Sequence, residues 1–387
     1  MENKAWAFLL FFVFISEQPI FAQASKLIWQ PEILLGHIVP NYQDYPSSGL
    51  LHGIGLSVHS AKTSDKIWQQ KYPNAEVGLF IGAWKMGNDS IFGNQITAYP
   101  YVQFPLKKLR KSPLHMRIGL GVAHFSKYFH IEKNARNIAV GSSFNWAFEG
   151  SLFWKKRLSK SLDLTLSGKF LHGSNGHTQL PNFGLNSAAL GVGIQFSPKG
   201  HTSLHEKPTI RRSKKHFFQI KTGLGLHEYG GTIGPVNGPK YGVSSLAAYR
   251  NIQFNQRNRL KLGLLFRHYN SYATHIKNHD LGKKITPFSF SFALGHEFLL
   301  GHIGLDVDGI LHIYKPFYRT YFNEFGIDNK VLFLLHRWLG ARVGFNAYAL
   351  PPSSNPKTNI FLGVHLNTNN GEADFSSITL GVERLMH

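Results

Sequence analysis

The sequence predicts an all-β protein: an antiparallel transmembrane β-barrel of about fourteen strands (roughly twelve to sixteen) behind an N-terminal signal peptide. Three observations carry that expectation. Apolar and polar residues alternate with period two in segment after segment. The chain opens on a charged, then apolar, then small-residue stretch. Its 387 residues hold 38 glycines and 31 phenylalanines, and only 16 % are charged, against about 25 % in soluble chains.

Residues 1–24 read as the export signal. Lys4 is the positive flank, Ala5 to Ile15 form an unbroken run of eleven apolar residues, and Ala22-Gln23-Ala24 is an A-x-A cleavage site. Eleven residues of helix cannot cross about 30 Å of hydrocarbon, so the run reads as cleaved rather than as an anchor. The mature chain is then 25–387, exported to the outer membrane of a bacterial cell. Its 42 Lys and Arg against 21 Asp and Glu leave a charge of +21. For an exported chain the expected anionic partner is membrane lipid, not nucleic acid. The absence of cysteine excludes a disulfide framework, a thiolate metal site and a cysteine nucleophile.

No later segment has the roughly eighteen consecutive apolar residues of a membrane helix. Strand ladders take their place. In 114–122, Leu114, Met116, Ile118, Leu120 and Val122 alternate with His115, Arg117, Gly119 and Gly121. Phe288, Phe290, Phe292 and Leu294 alternate with Ser289, Ser291 and Ala293. In 303–313, Ile303, Leu305, Val307, Leu311 and Ile313 alternate with Gly304, Asp306, Asp308 and His312. Successive strand side chains point to opposite faces, so each ladder has one greasy face and one polar or small face. A soluble sandwich alternates too, but a polar face rich in Gly, Asp and Lys with few bulky residues suits a barrel lumen. Trp84, Tyr99, Tyr101 and Trp154 are expected in interfacial girdles, and Asp306 and Asp308 in an internal ion-pair network.

Residues 199–215 are polar and basic, and separate about eight strands in 25–198 from about six in 216–387. A single closed barrel is expected, because it leaves no sheet edge in lipid. The glycine-rich 223–238 lacks G-K-[ST] and reads as a strand end and loop. The histidines show no metal-binding spacing, and neither metal nor cofactor is expected.

One constellation carries chemistry. In 170–186, FLHGSNGHTQLPNFGLN, His172 and Ser174 stand two apart and share one strand face. An imidazole so placed can take the proton of the hydroxyl, the basis of serine nucleophilic catalysis. His124-x-Ser126 and His201-x-Ser203 have the same spacing, so the pair alone is weak. Parity separates this instance. His172 and Ser174 continue the face of Leu162, Leu164, Leu166 and Phe170, and Asn186 continues that of Ala188, Leu190, Val192 and Ile194. Three polar residues on the lipid-facing side of one hairpin are costly unless employed. A nucleophile there meets acyl chains and esters.

H-x-S-N-G at His172 to Gly176, followed by P-N-x-G-x-N at Pro181 to Asn186, resembles the outer-membrane lipid A deacylases of the PagL type and their acyloxyacyl-hydrolase-like relatives in Bacteroidota. Trp68 to Pro73 and Phe144-Asn145 are similar to the longer relatives; past about residue 200 the likeness is vaguer. The resemblance implies hydrolysis of an ester-linked acyl chain from lipid A of lipopolysaccharide. It implies Ser174 as nucleophile, His172 as base, Asn186 as the residue orienting it, and Asn175, Gly176 and Asn182 around the oxyanion. Asn186 departs from the pattern, since deacylases of this type carry glutamate there. An asparagine carbonyl accepts the same hydrogen bond but brings no charge to an imidazolium; in serine proteases the acid-to-amide change costs about 10⁴ in rate. Two other readings stay open: a non-catalytic barrel serving as pore or structural protein, and a phospholipase using the same site.

Overall fold

The computed structural model describes residues 27–60, 75–106, 114–198, 214–282, 284–326 and 329–386. The signal-like 1–24 and the segment Trp68 to Pro73 lie outside them. The first eight strands are β1 (Leu27–Val39), β2 (Leu51–Ser60), β3 (Glu76–Lys85), β4 (Asn94–Pro105), β5 (Leu114–Phe125), β6 (Phe144–Arg157), β7 (Leu162–Ser174) and β8 (Leu185–Phe196). They form a closed antiparallel meander in which β8 returns to β1, with Leu35 opposite Leu190 and Ile33 opposite Val192. A second closed barrel follows: β9 (Lys215–Glu228), β10 (Lys240–Gln253), β11 (Asn258–Tyr269), β12 (Phe288–Leu300), β13 (Ile303–Tyr314), β14 (Leu339–Tyr348), β15 (Thr358–Asn369) and β16 (Glu372–Met386). There β16 pairs with β9.

The expected single barrel of about fourteen strands is therefore corrected to two barrels of eight. The physical reason lies on the lumenal parity, which is bulkier than expected. Eight strands enclose just enough room for side chains, whereas wider barrels hold water. In the first barrel Arg117 is fully buried, its guanidinium 3.9 Å from the Tyr101 ring and 4.0 Å from Phe153, with Nε donating to Gln103 and Nη1 to Ser57. Lys169 bridges Glu32 at 2.8 Å and Glu149 at 3.1 Å. Trp84, Tyr99 and Tyr101, expected at the membrane interface, are packed inside this lumen; only Trp154 faces outward.

The second lumen holds the expected ion-pair network. Lys261 joins Asp306 and Asp308, Lys221 bonds Asp306 at 3.0 Å, Arg342 pairs with Asp308, and Arg259 bonds Glu383 at 2.6 Å. The outer shells are apolar, with Ile33 65 % and Leu224 72 % exposed. Among the described residues no helix is long and apolar enough to cross a membrane.

Strand alternation puts the β1–β2, β3–β4, β5–β6 and β7–β8 connections at one end of the first barrel. The β9–β10 connection of the second barrel meets this end, where Asn182 N donates to Thr232 O at 2.9 Å. Short helices α1 (Asn270–His279), α2 (Tyr318–Phe325) and α3 (Lys330–Trp338) fill the β11–β12 and β13–β14 connections. They pack around an aromatic cluster that includes Tyr229, Tyr272 and Phe317.

Candidate active site

β7 and β8 form a hairpin whose register sets His172 directly opposite Asn186, and β6 sets Trp146 opposite Ser174. Along β7 the odd residues Asp163, Thr165, Ser167, Lys169 and Leu171 are buried in the lumen, while Leu166 and Phe170 are exposed. His172 and Asn186 lie on the outer face, as parity predicts. No bulge interrupts this pairing.

His172 Nδ1 lies 2.7 Å from Asn186 Oδ1. The amide oxygen only accepts, so Nδ1 carries the proton and Nε2 keeps its lone pair, the form a general base needs. The ring packs against Gly184: a Cβ there would sit 2.6 Å from His172 Cε1, and φ of +78° leaves the position to glycine.

Ser174 Oγ accepts from Asn182 Nδ2 at 3.0 Å and from Gly176 N at 3.3 Å. Two donors therefore converge beside the hydroxyl. The loop bends tightly enough to bring them there because Gly176 takes φ of +66°. Among the described residues Ser174 bonds to these groups, and His172 to Asn186; the histidine and serine share one face without a mutual hydrogen bond. Asn175 departs from its expected place. Its Oδ1 accepts from Thr178 N at 3.1 Å and its Nδ2 donates to Gln179 O at 2.7 Å, so the side chain braces its own loop. Its backbone N–H donates to Asn182 Oδ1 at 3.1 Å, which aims the Asn182 amide at the serine.

What sequence reading missed comes from the second barrel. Glu228 Oε2 accepts from Leu180 N at 2.9 Å, Glu228 N donates to His177 O at 3.0 Å, and Lys240 Nζ donates to Thr178 O at 2.6 Å. His177 donates from Nε2 to Gly230 O at 3.0 Å; burial holds this imidazole below its ordinary pKa, against the opposing field of Asp374. Trp146 Nε1 donates to Ser376 Oγ at 2.7 Å. These partners stand from 48 to 230 residues away, and no local spacing announces them. Among the described residues no cluster of three or more His, Asp or Glu is arranged to hold a metal ion.

Residues 52–195 match the family model of lipid A 3-O-deacylase (PagL). The match runs from β2 through β8 and contains every residue of the constellation, on the segment where the motif resemblance was read. β1 and the second barrel lie beyond it. Among solved structures, the crystal structure of the outer membrane enzyme PagL is 19 % identical over 43 % of this chain and 98 % of its own, with a TM-score of 0.30. OccAB4 of Acinetobacter baumannii is 9 % identical over 93 % and 98 %, TM-score 0.24. The outer membrane protein opdK of Pseudomonas aeruginosa is 10 % identical over 93 % and 98 %, TM-score 0.21. No curated protein matches the chain. With residues 52–195 matching that family model, both sheets closed into barrels and apolar shells on both, the chain is an integral outer-membrane protein.

Proposed function

We infer that the first barrel is a serine esterase that removes an ester-linked acyl chain from lipid A. The observation that supports this most directly is that Ser174 shares a strand face with the Nδ1-protonated His172 and is bonded by the paired donors Gly176 N–H and Asn182 Nδ2. Ser174 Oγ turns toward His172 Nε2, gives up its proton there and attacks the ester carbonyl. The carbonyl oxygen takes the negative charge and is held by the two donors that bond Oγ in the resting site. On collapse the carbon–oxygen bond to the sugar breaks, and His172 passes its proton to the leaving hydroxyl. Water, deprotonated by His172, then cleaves the acyl-serine and restores the enzyme.

A place for the chain lies on the same face. An apolar groove of about 810 Å³, lined by Leu35, Leu152, Gly168, Phe170, Ala188 and Leu190, runs down the outside of the barrel. Phe170 and Ala188 form the rung just below His172 and Asn186. Gly168 leaves open space where a side chain would stand. The lumens, filled by buried ion pairs, disfavour a pore.

Mass spectrometry of lipid A from a host expressing the chain, beside Ser174→Ala and an empty vector, tests this. Loss of one acyl chain only with the intact serine is expected. Unchanged lipid A with folded protein in the outer membrane overturns the reading, and release of fatty acid from phospholipid instead reassigns the substrate.

A further inference from the structure

The loop that carries the donors to Ser174 is held by the second barrel as well as by its own. Residues 175–182 meet the end of β9 and the β9–β10 connection through four hydrogen bonds: Leu180 N to Glu228 Oε2, Glu228 N to His177 O, Asn182 N to Thr232 O and, from a side chain, His177 Nε2 to Gly230 O. Glu228 is the hub. It is 1 % exposed, and its second oxygen accepts from Gly238 N, which ties the clamp to the far side of its own connection. Lys240 Nζ lies 4.0 Å from its carboxylate and bonds Thr178 O and Gln179 Oε1 on the loop. Over Gly176, whose N–H faces Ser174, the second barrel presses Ser376 and Leu366: a Cβ at 176 would sit 2.3 Å and 2.9 Å from their side chains.

We propose that the second barrel completes the active site of the first, with Glu228 as the positioning residue that fixes the nucleophile loop. Gly176 and Asn182 aim their donors at one point only while the loop keeps its shape. Asn175 braces it from within, but Leu180 N and Asn182 N find their acceptors in the other barrel. A buried carboxylate taking two amides is a strong, directional anchor, and deleting it leaves both amides without partners in a buried seam. The clamp rests on the deacylase reading for its catalytic meaning, but not for its existence.

The test uses the full chain folded in detergent, with hydrogen exchange read at Leu180 and Asn182 and kcat and KM read on lipid A. Glu228→Ala is expected to speed exchange at both amides at least ~10-fold while the strand amides of the first barrel stay protected. It should lower kcat ~10²-fold with KM nearly unchanged, the pattern of lost alignment rather than lost binding. Glu228→Gln, which keeps one carbonyl acceptor, should recover part of both. Unaltered exchange and kcat in a folded Glu228→Ala protein overturns the proposal. If that variant fails to assemble, Lys240→Met at the exposed edge of the clamp takes its place: a smaller shift in the same direction supports the clamp, and none overturns it. A wild type inert on lipid A with a protected Leu180 amide sinks the deacylase reading and leaves the clamp standing. An active wild type with rapid Leu180 exchange does the reverse.

Discussion

Asn186→Asp is the most informative single change at the site, because it swaps an amide oxygen for a carboxylate oxygen of the same shape. In the structure Asn186 Oδ1 sits 2.7 Å from His172 Nδ1. When His172 takes the Ser174 proton it becomes an imidazolium, and the asparagine offers it only a dipole. A full charge at 2.7 Å is worth ~1.5 kcal/mol in a water-like medium and ~6 kcal/mol at an effective dielectric of about 20. Both side chains are half-buried at the outer face, so the lower end applies. Comparing charged with neutral hydrogen bonds gives a similar gain of about 1–2 kcal/mol. At 1.36 kcal/mol per tenfold, the expected result is a rise of ~10-fold in kcat. The assay is fatty-acid release from lipid A in mixed micelles, with Asn186→Ala as the opposite control, expected to fall below wild type because the histidine loses the acceptor that selects its tautomer. A folded Asn186→Asp enzyme no faster than wild type, beside an undiminished Asn186→Ala, refutes the assignment of Asn186 as orienting residue.

Three other outcomes are expected. Asn182→Ala removes one of the two donors at Ser174 and should reduce kcat by about 10²–10³, measured in the same micelle assay. Lys261→Met strips Asp306 and Asp308 of their shared cation in the second lumen and should cost about 3–5 kcal/mol of stability, read as a lower unfolding temperature on a heat-modifiability gel. His177, held neutral by burial, has a folded pKa below its unfolded value, so the undocked loop binds the extra proton; docking is fully stable above about pH 6.5 and weakens as the pH falls through that value toward the folded pKa. Exchange at Asn182, corrected for its intrinsic pH dependence, should quicken from roughly pH 7.5 to 5 in wild type but not in His177→Gln.

The facing of the site was legible because a strand has only two faces. Once Leu162, Leu164, Leu166 and Phe170 were greasy, His172 and Ser174 had to follow them, and the pairing of His172 with Asn186 came from the same parity on β8. Strand count was nearly legible, closure was not. Alternation says which side chains point inward, but not how wide the cylinder is. The clue to width was the bulk on the inward parity, Phe80, Tyr99, Tyr101 and Phe153 in the first barrel and Tyr249 and Tyr348 in the second. Tyr99 and Tyr101 resemble girdle residues by type, although their parity already sets them inside. The part of the site that escaped entirely depends on one loop meeting another across two closed barrels, as Leu180 meets Glu228. Hydrogen bonds between a backbone amide and a distant carboxylate leave no periodicity to read.

The distribution of charge bears on where the +21 of the sequence acts. Lysines lining a passive lumen would leave their charge inside the barrels. Among the described residues, however, the buried set holds eight Lys and Arg against nine Asp and Glu, so the interiors are close to neutral. The excess that the described residues carry therefore lies outside the buried interiors, where it meets solvent and headgroups. In an outer membrane those headgroups include the phosphates of lipid A, and cations outside the barrel attract them over about 8–10 Å at ordinary salt. A substrate drawn by that field should bind less tightly as salt rises: KM for lipid A should climb between low and high ionic strength while kcat, set inside the half-buried site, stays level. A KM indifferent to salt would remove the surface charge from substrate capture and leave the apolar groove beneath His172 to hold the lipid alone.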